Sequence, residues 1–325
     1  MRKQIPLMFC LAVVAAVALS GCLSNQGVTP ASYKNDVITV EDYYVSNLQP
    51  YASAEDRGSE TTMSFLVQNN GEHPVGRAAV NFFDTSGLVV SDFKCSDSTV
   101  SVGARHICTF GNSEALGEIV PFDVRYISLR LTAPSADVIK KQTDFTVSYR
   151  IEYDYSGYRK ADLPVVDGTT VRTASSRYSQ STASYGPVLL SFELPARGTH
   201  KEDGQTVTDY WGVRGKPFEV VMKLTDVASS KSKSKNLVLA KGSIMLDTKK
   251  SLQVADGMPC DFDVDASTGY LYSSKDVKVP GELRCSFKSY DFSEPETFAT
   301  LWAEYSYTYG YTLTEKFQVQ PVGET

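Results

Sequence analysis

Apolar and polar residues alternate one for one along most of this chain. The clearest run is 145–155. There Phe145, Val147, Tyr149, Ile151, Tyr153 and Tyr155 share one side of an extended backbone, and Thr146, Ser148, Arg150, Glu152 and Asp154 share the other. Successive side chains of a strand point to opposite faces, so this pattern predicts a strand with one buried and one wet face in an antiparallel sheet. The same period predicts strands at 37–45, 61–68, 78–83, 88–93, 105–110 and 124–131. A second series begins at Val188 and includes 218–224, 237–246, 251–255, 283–287 and 298–309. Turn chemistry separates neighbours, as in Asn69-Asn70-Gly71 and Asp84-Thr85-Ser86-Gly87. Long amphipathic helical patterns are scarce, and the profile is all-β.

The two halves read as divergent copies. Each carries a cysteine pair in its later part, Cys95 with Cys108 and Cys260 with Cys285, then a proline-marked turn at Pro134 or Pro295, then a long alternating strand. Those strands run into Glu152-Tyr153-Asp154-Tyr155-Ser156-Gly157-Tyr158 and Glu304-Tyr305-Ser306-Tyr307-Thr308-Tyr309-Gly310-Tyr311. A hairpin return is expected after each, through 163–166 and 317–321. Duplication predicts two tandem antiparallel β-sandwiches, 37–166 and 187–325. A Ser/Thr-rich linker at 167–186, with room for an edge strand, joins them.

The first residues have a different logic. Arg2 and Lys3 precede an apolar stretch from Ile5 to Leu19, which is too short for a stop-transfer helix and reads as the core of a signal peptide over 1–21. The stretch ends Leu19-Ser20-Gly21-Cys22, which resembles the lipobox of lipoprotein signal peptides. The resemblance implies cleavage after Gly21, a diacylglyceryl group on the Cys22 thiol and two-chain anchoring to a membrane. Residues 22–36 then form a polar, lipidated tether.

The stretch Phe65-Leu66-Val67-Gln68-Asn69-Asn70-Gly71, continuing through His73-Pro74-Val75-Gly76 to Val80-Asn81-Phe82-Phe83, resembles the immunoglobulin-like CARDB family of cell-surface domains. There too a strand enters an Asn-x-Gly turn and a second alternating strand follows. The resemblance covers about 60 residues of the first half and implies an immunoglobulin-like sandwich placed outside the cell. The whole layout is more loosely similar to tandem surface lipoproteins of archaeal type.

Cysteine usage fits export. Cys10 leaves with the signal and Cys22 takes the lipid, which leaves Cys95, Cys108, Cys260 and Cys285 for disulfides. Four cysteines allow three pairings. If each half folds as its own sandwich, the local pairs Cys95–Cys108 and Cys260–Cys285 are the ones within reach. The spacings do not suit zinc. Loss of Arg2 and Lys3 takes the net charge from −6 to −8, against nucleic-acid binding.

Catalytic signatures are scarce. The chain has no Gly-x-Ser-x-Gly, His-Glu-x-x-His or phosphate-cradling loop, and only three histidines, His73, His106 and His200. No cofactor is implied and the chain reads as a non-enzyme. Asp261, Asp263 and Asp265 alternate in a way that would gather carboxylates for Ca²⁺. Ala266 and Tyr272 break the EF-hand pattern, so a solvated strand face with Phe262 and Val264 buried behind it is expected and no metal. Lys231, Lys233 and Lys235 form a loop between strands, free in solvent or facing anionic glycan or headgroups.

The tyrosines are the strongest candidate for recognition. Tyr149, Tyr153 and Tyr305 are expected in the core. Tyr155, Tyr158, Tyr309 and Tyr311, nearer the expected turns, are expected at a surface where half-buried rings anchor a partner. The functional expectation is a membrane-anchored extracytoplasmic lipoprotein with a binding, adhesion or envelope-assembly role, its partner an envelope protein or glycan. An accessory solute- or glycan-binding lipoprotein of a transporter or secretion machine is the alternative, and a surface hydrolase the third reading.

Overall fold

The structure, a computed structural model, describes residues 33–46, 59–111, 117–168, 179–194, 196–202 and 205–321. The expected signal peptide, Cys22 and the tether through residue 32 lie outside the described residues, as do the side chains of 179–181 and 196–210. The described secondary structure is β throughout, and Tyr33–Thr325 forms one compact unit.

In the first half, β1 (Ile38–Val45), β2 (Glu60–Asn69), β7 (Val124–Thr132) and β4 (Val89–Cys95) make a small sheet in the order β1-β2-β7-β4. It covers β3 (Ala78–Asp84), β6 (His106–Phe110), β5 (Thr99–Val102) and the first part of β8 (Thr143–Val166). The inward residues of β2 are its apolar alternates, and Phe65 meets Phe82 of β3 and Tyr149 of β8 at 6.2 and 5.2 Å between ring centres. In the second half the small sheet is β10 (Val188–Glu193), β14 (Phe218–Asp226), β21 (Gly281–Ser289) and β17 (Leu252–Val254), in that order. It lies over β16 (Ile244–Asp247), β19 (Leu271–Ser273), β18 (Phe262–Val264) and β22 (Glu296–Val319). Shorter pieces complete the chain. β9 (Ser179–Ala183) and β13 (Gly212–Val213) add to β8, while β11 (Ala196–Glu202) pairs β12 (Gln205–Tyr210) and β15 (Val238–Leu239) pairs β20 (Val277–Lys278).

Both local disulfides are present; the first joins the two layers of its sandwich, and the second links two backbone segments already paired side by side. Cys95 of β4 bonds Cys108 of β6 with Cα atoms 6.2 Å apart, and Cys260, just before β18, bonds Cys285 of β21. Closing loops of 13 and 25 residues contributes about 3 kcal/mol each on the chain-entropy account.

The two sandwiches do not stand apart. β8 and β22 pair antiparallel without a break, from Glu296 opposite Val166 to Val319 opposite Thr143. The large faces of the two halves are therefore one sheet, ordered β18-β19-β16-β22-β8-β3-β6-β5. Within the expected linker, 167–186, the edge strand is β9, which hydrogen-bonds to β8.

The expected hairpin returns are absent: 163–166 and 317–319 continue the same two strands. The glycines that looked like turns have another use. Gly157 faces Tyr305 across the strands, where a Cβ would lie 2.7 Å from the ring. A Cβ on Gly310 would lie 2.6 Å from the Arg150 guanidinium. Glycine inside these strands admits a neighbour's side chain and bends nothing.

Candidate functional site

The tyrosine-rich segments lie at the middle of the β8–β22 pair, where one small sheet ends and the other begins. Tyr153 sits opposite Tyr309, Tyr155 opposite Tyr307, and Tyr311 opposite Ile151. The rings touch along the seam: Tyr153 and Tyr309 at 5.7 Å, Tyr155 and Tyr307 at 6.3 Å, Tyr305 and Tyr307 stacked at 6.1 Å. These rings are core. Tyr155 and Tyr311 are 4% exposed and Tyr309 is 0% exposed, so three of the four tyrosines expected at a recognition surface are not available to a partner. The expectation failed because it placed turns beside them; without turns, period-two alternation keeps every ring on the covered face. Tyr149, Tyr153 and Tyr305 are buried with them.

Their hydroxyls explain why this stretch is tyrosine. Tyr311 Oη donates to the Ile38 carbonyl of the first small sheet at 2.7 Å. Tyr305 Oη donates to the Val188 carbonyl of the second at 3.0 Å. Tyr309 Oη donates to Asp226 at the end of β14 (3.1 Å) and accepts Ser234 N–H (3.0 Å). Tyr155 Oη accepts the amides of Glu72 and His73 at 3.1 and 3.3 Å and donates to the Tyr185 carbonyl at 2.9 Å. Backbone groups where the small sheets start and stop would be costly to bury unpaired, and these hydroxyls pair them. Burial raises the pKa of all seven buried ring hydroxyls. Tyr155 is pushed up to about 12, and desolvation leads at Tyr149, Tyr153, Tyr305, Tyr307, Tyr309 and Tyr311.

Tyr158 alone of the four reaches the other face of the large sheet. It is half-buried, stacks on Trp302 at 5.1 Å with the rings 5° from parallel, and donates from Oη to Glu72 at 3.3 Å. Burial first, then Glu72, raises its hydroxyl. Sequence alone gave no sign of the Trp302 partner, which comes from the distant strand β22.

The three aspartates have separate partners. Asp261 binds Lys275 at 2.8 Å and accepts Arg284 N–H at 2.9 Å, and Asp263 faces Lys241 at 3.3 Å. Asp265 closes a turn by accepting Ser267 N–H, Ser267 Oγ–H and Thr268 Oγ1–H, which lowers its carboxyl, the Ser267 hydroxyl contributing most. Phe262 is buried as expected, but Val264 is 57% exposed, because β18 is the edge of its sheet. Carboxylates on an edge strand hinder pairing with other chains. Among the described residues no three His, Cys, Asp or Glu side chains gather as metal ligands. His73 packs beside Tyr155 and Tyr158, and His106 edge-on to Phe93; the His200 side chain is outside the described set.

One open cavity, of about 630 Å³, lies in the second sandwich between Tyr270 and Tyr290, with Gln253, Asp256 and Lys250 on its wall. Two consecutive wall lysines, Lys249 and Lys250, hold positive φ of 49° and 57°, a conformation that non-glycine residues adopt at a cost. Nothing in the one-dimensional pattern marked this site, since its walls come from three separate loops.

No protein-family model matches the chain, and no curated protein matches its sequence. Among solved structures it is similar to the full-length major pilin SpaD from Corynebacterium diphtheriae, with 13% identity, 61% of this chain and 58% of that chain covered, and a TM-score of 0.27. The chain thus spans less than two thirds of that pilin. It is also similar to the Fcho1 mu homology domain from Danio rerio with bound Eps15 peptide, with 10% identity, 89% and 95% covered, and a TM-score of 0.22. A third is the BSP domain of a biofilm associated protein, with 6% identity, 97% and 71% covered, and a TM-score of 0.22. At such scores none of these likenesses bears on what the chain does.

Proposed function

We propose that this chain is a lipid-anchored extracytoplasmic protein with a non-catalytic binding, adhesion or envelope-assembly role. The observation that carries the reading is the arithmetic of its thiols. Behind residue 21 there are five cysteines; four are joined as Cys95–Cys108 and Cys260–Cys285. The remaining one is Cys22, which ends Leu19-Ser20-Gly21-Cys22 after the apolar stretch. Structural disulfides belong to oxidising compartments, and the unpaired thiol stands where a diacylglyceryl group is added in lipoproteins. Two disulfides and a seam shared by both halves suit a rigid body displayed on a surface.

The test is fractionation of Cys22→Ser. The wild-type chain is expected to remain with membranes through high salt and carbonate, and the variant to be released. Equal retention of both would refute the lipid anchor.

The cavity between Tyr270 and Tyr290 favours a second reading, an accessory solute- or glycan-binding lipoprotein. Flat rings flanked by an amide, a carboxylate and an ammonium group suit a sugar face and its hydroxyls. Titration with neutral oligosaccharides, with Tyr270→Ala and Tyr290→Ala as controls, decides it.

A further inference from the structure

We infer that the Lys231, Lys233 and Lys235 loop is a basic foot that rests on anionic lipid headgroups and fixes which side of the double sandwich meets the membrane. The inference rests on the lipid-anchored reading above and adds an orientation to it.

The loop joins β14 to β15 and is held from both sides. Ser229 N–H donates to Asp36 Oδ1 at 2.8 Å, Ser232 N–H to the Ser229 carbonyl at 3.1 Å, and Ser234 N–H to Tyr309 Oη at 3.0 Å. Ser232 is buried while Lys231, Lys233 and Lys235 are exposed. Alternation along a pinned backbone thus turns three ammonium groups outward together. Among the described residues none of the three forms an ion pair; Lys231 lies near enough to Glu315 to favour its charged form, against the burial that raises its pKa. Asp226 is engaged by Tyr309 Oη and Ala228 N–H.

The second observation is where the loop is anchored. Asp36 lies three residues after Tyr33, and Lys34 between them is exposed as well. The chain that enters at Tyr33 comes from Cys22, eleven residues earlier. Fully extended, that segment spans about 40 Å, and as a coil about 20 Å. A lipid on Cys22 therefore keeps this side of the fold within reach of the bilayer.

Magnitudes decide what the foot does. A basic residue at an anionic surface contributes about 1 kcal/mol, so three give a partition on the order of 100-fold. That is weak for a free protein and enough to orient one already held at high effective concentration. The rest of the mature chain is acidic, and such a surface repels it.

The test uses flotation with vesicles of phosphatidylcholine alone and of phosphatidylcholine with phosphatidylglycerol. The exported Cys22→Ser chain isolates the foot from the anchor. At about 10 mM salt, where charges act over roughly 30 Å, it is expected to float with the phosphatidylglycerol vesicles and not with the others. K231Q/K233Q/K235Q in the same background is expected to lose that binding several-fold at an unchanged melting temperature. For the lipidated chain on phosphatidylglycerol vesicles, acetylation of Lys231, Lys233 and Lys235 is expected to slow while that of Lys250 does not. The proposal is overturned if the Cys22→Ser chain ignores phosphatidylglycerol vesicles, if the triple variant binds them as well, or if an acidic polysaccharide protects the three lysines and vesicles do not. Loss of the anchor itself reads out separately, as failure of the wild-type chain to float with pure phosphatidylcholine.

Discussion

The middle and the ends of the β8–β22 pair share one backbone geometry and differ in what covers them. At the ends, each under a single small sheet, the inward residues are mostly aliphatic or phenylalanine: Phe145, Val147, Phe317 and Val319 at one end, Leu163, Ala299, Leu301 and Ala303 at the other. In the middle they are Tyr153, Tyr155, Tyr305, Tyr307, Tyr309 and Tyr311. A continuous small sheet offers only side chains to the face beneath it, and hydrocarbon is sufficient there. A gap between two small sheets offers carbonyls and amides that lack ladder partners. Tyrosine fills the gap with a ring, and Tyr155, Tyr305, Tyr309 and Tyr311 meet such groups with their hydroxyls, while the buried Tyr307 hydroxyl has no partner among the described residues. Residue choice along one buried face thus records where the covering layer is interrupted.

The comparison breaks most sharply if rings are removed from the middle. Tyr309→Ser with Tyr311→Ser is expected to destabilise by several kcal/mol, of the order of the whole folding free energy of a domain, since single aromatic truncations in a core cost about 3–5 kcal/mol. Loss of cooperative thermal unfolding would show it. A variant that kept its melting temperature would restore these rings to the surface.

Alkali probes the same rings without mutation. A hydroxyl kept protonated by the fold contributes stability in full below the unfolded tyrosine value near 10. That contribution is lost as pH rises through the folded value, about 12 for Tyr155. The phenolate absorbance of the seven buried rings is therefore expected to appear together with the loss of near-ultraviolet circular dichroism, above pH ~10, after that of the exposed tyrosines. Free titration of all 19 tyrosines with the fold intact would contradict the buried seam.

The smallest effect separates the roles of ring and hydroxyl. Tyr311→Phe removes the bond to the Ile38 carbonyl and is expected to cost about 1 kcal/mol, with the carbonyl left unpaired. Tyr149 Oη has no hydrogen-bond partner among the described residues, and Tyr149→Phe is expected to change stability by about 0 kcal/mol or to raise it slightly. Chemical denaturation of the two variants side by side measures the difference.

Much of this architecture was legible in the chain. Period-two alternation located most long strands, because side-chain parity is local information: 61–68 lies within β2, 124–131 within β7 and 218–224 within β14. The disulfides were legible through duplication, which made distance in sequence a guide to distance in space. Ser156-Gly157 and Gly310 misled because glycine has two uses, turning a chain and admitting a neighbour, and the neighbours here, the Tyr305 ring and the Arg150 guanidinium, are about 150 residues away. Once turns were assumed, Tyr155, Tyr309 and Tyr311 followed them to the surface. The Lys231 loop was visible as charge, while its bond to Asp36 depends on the meeting of two halves that the sequence presents as separate.

The joining of β8 to β22 also sets an order of events during synthesis. β8 is complete at residue 166, yet the strand that pairs it along its full length ends at residue 319. Until those last residues emerge, the earlier half carries an unpartnered strand edge and an uncovered row of rings. Contacts so distant along the chain form slowly, and such edges invite association with other chains. The nascent protein is therefore open to association with its neighbours until residue 319 has emerged. Truncation before residue 296 is expected to leave the first half aggregation-prone, even though every residue of its own sandwich is intact.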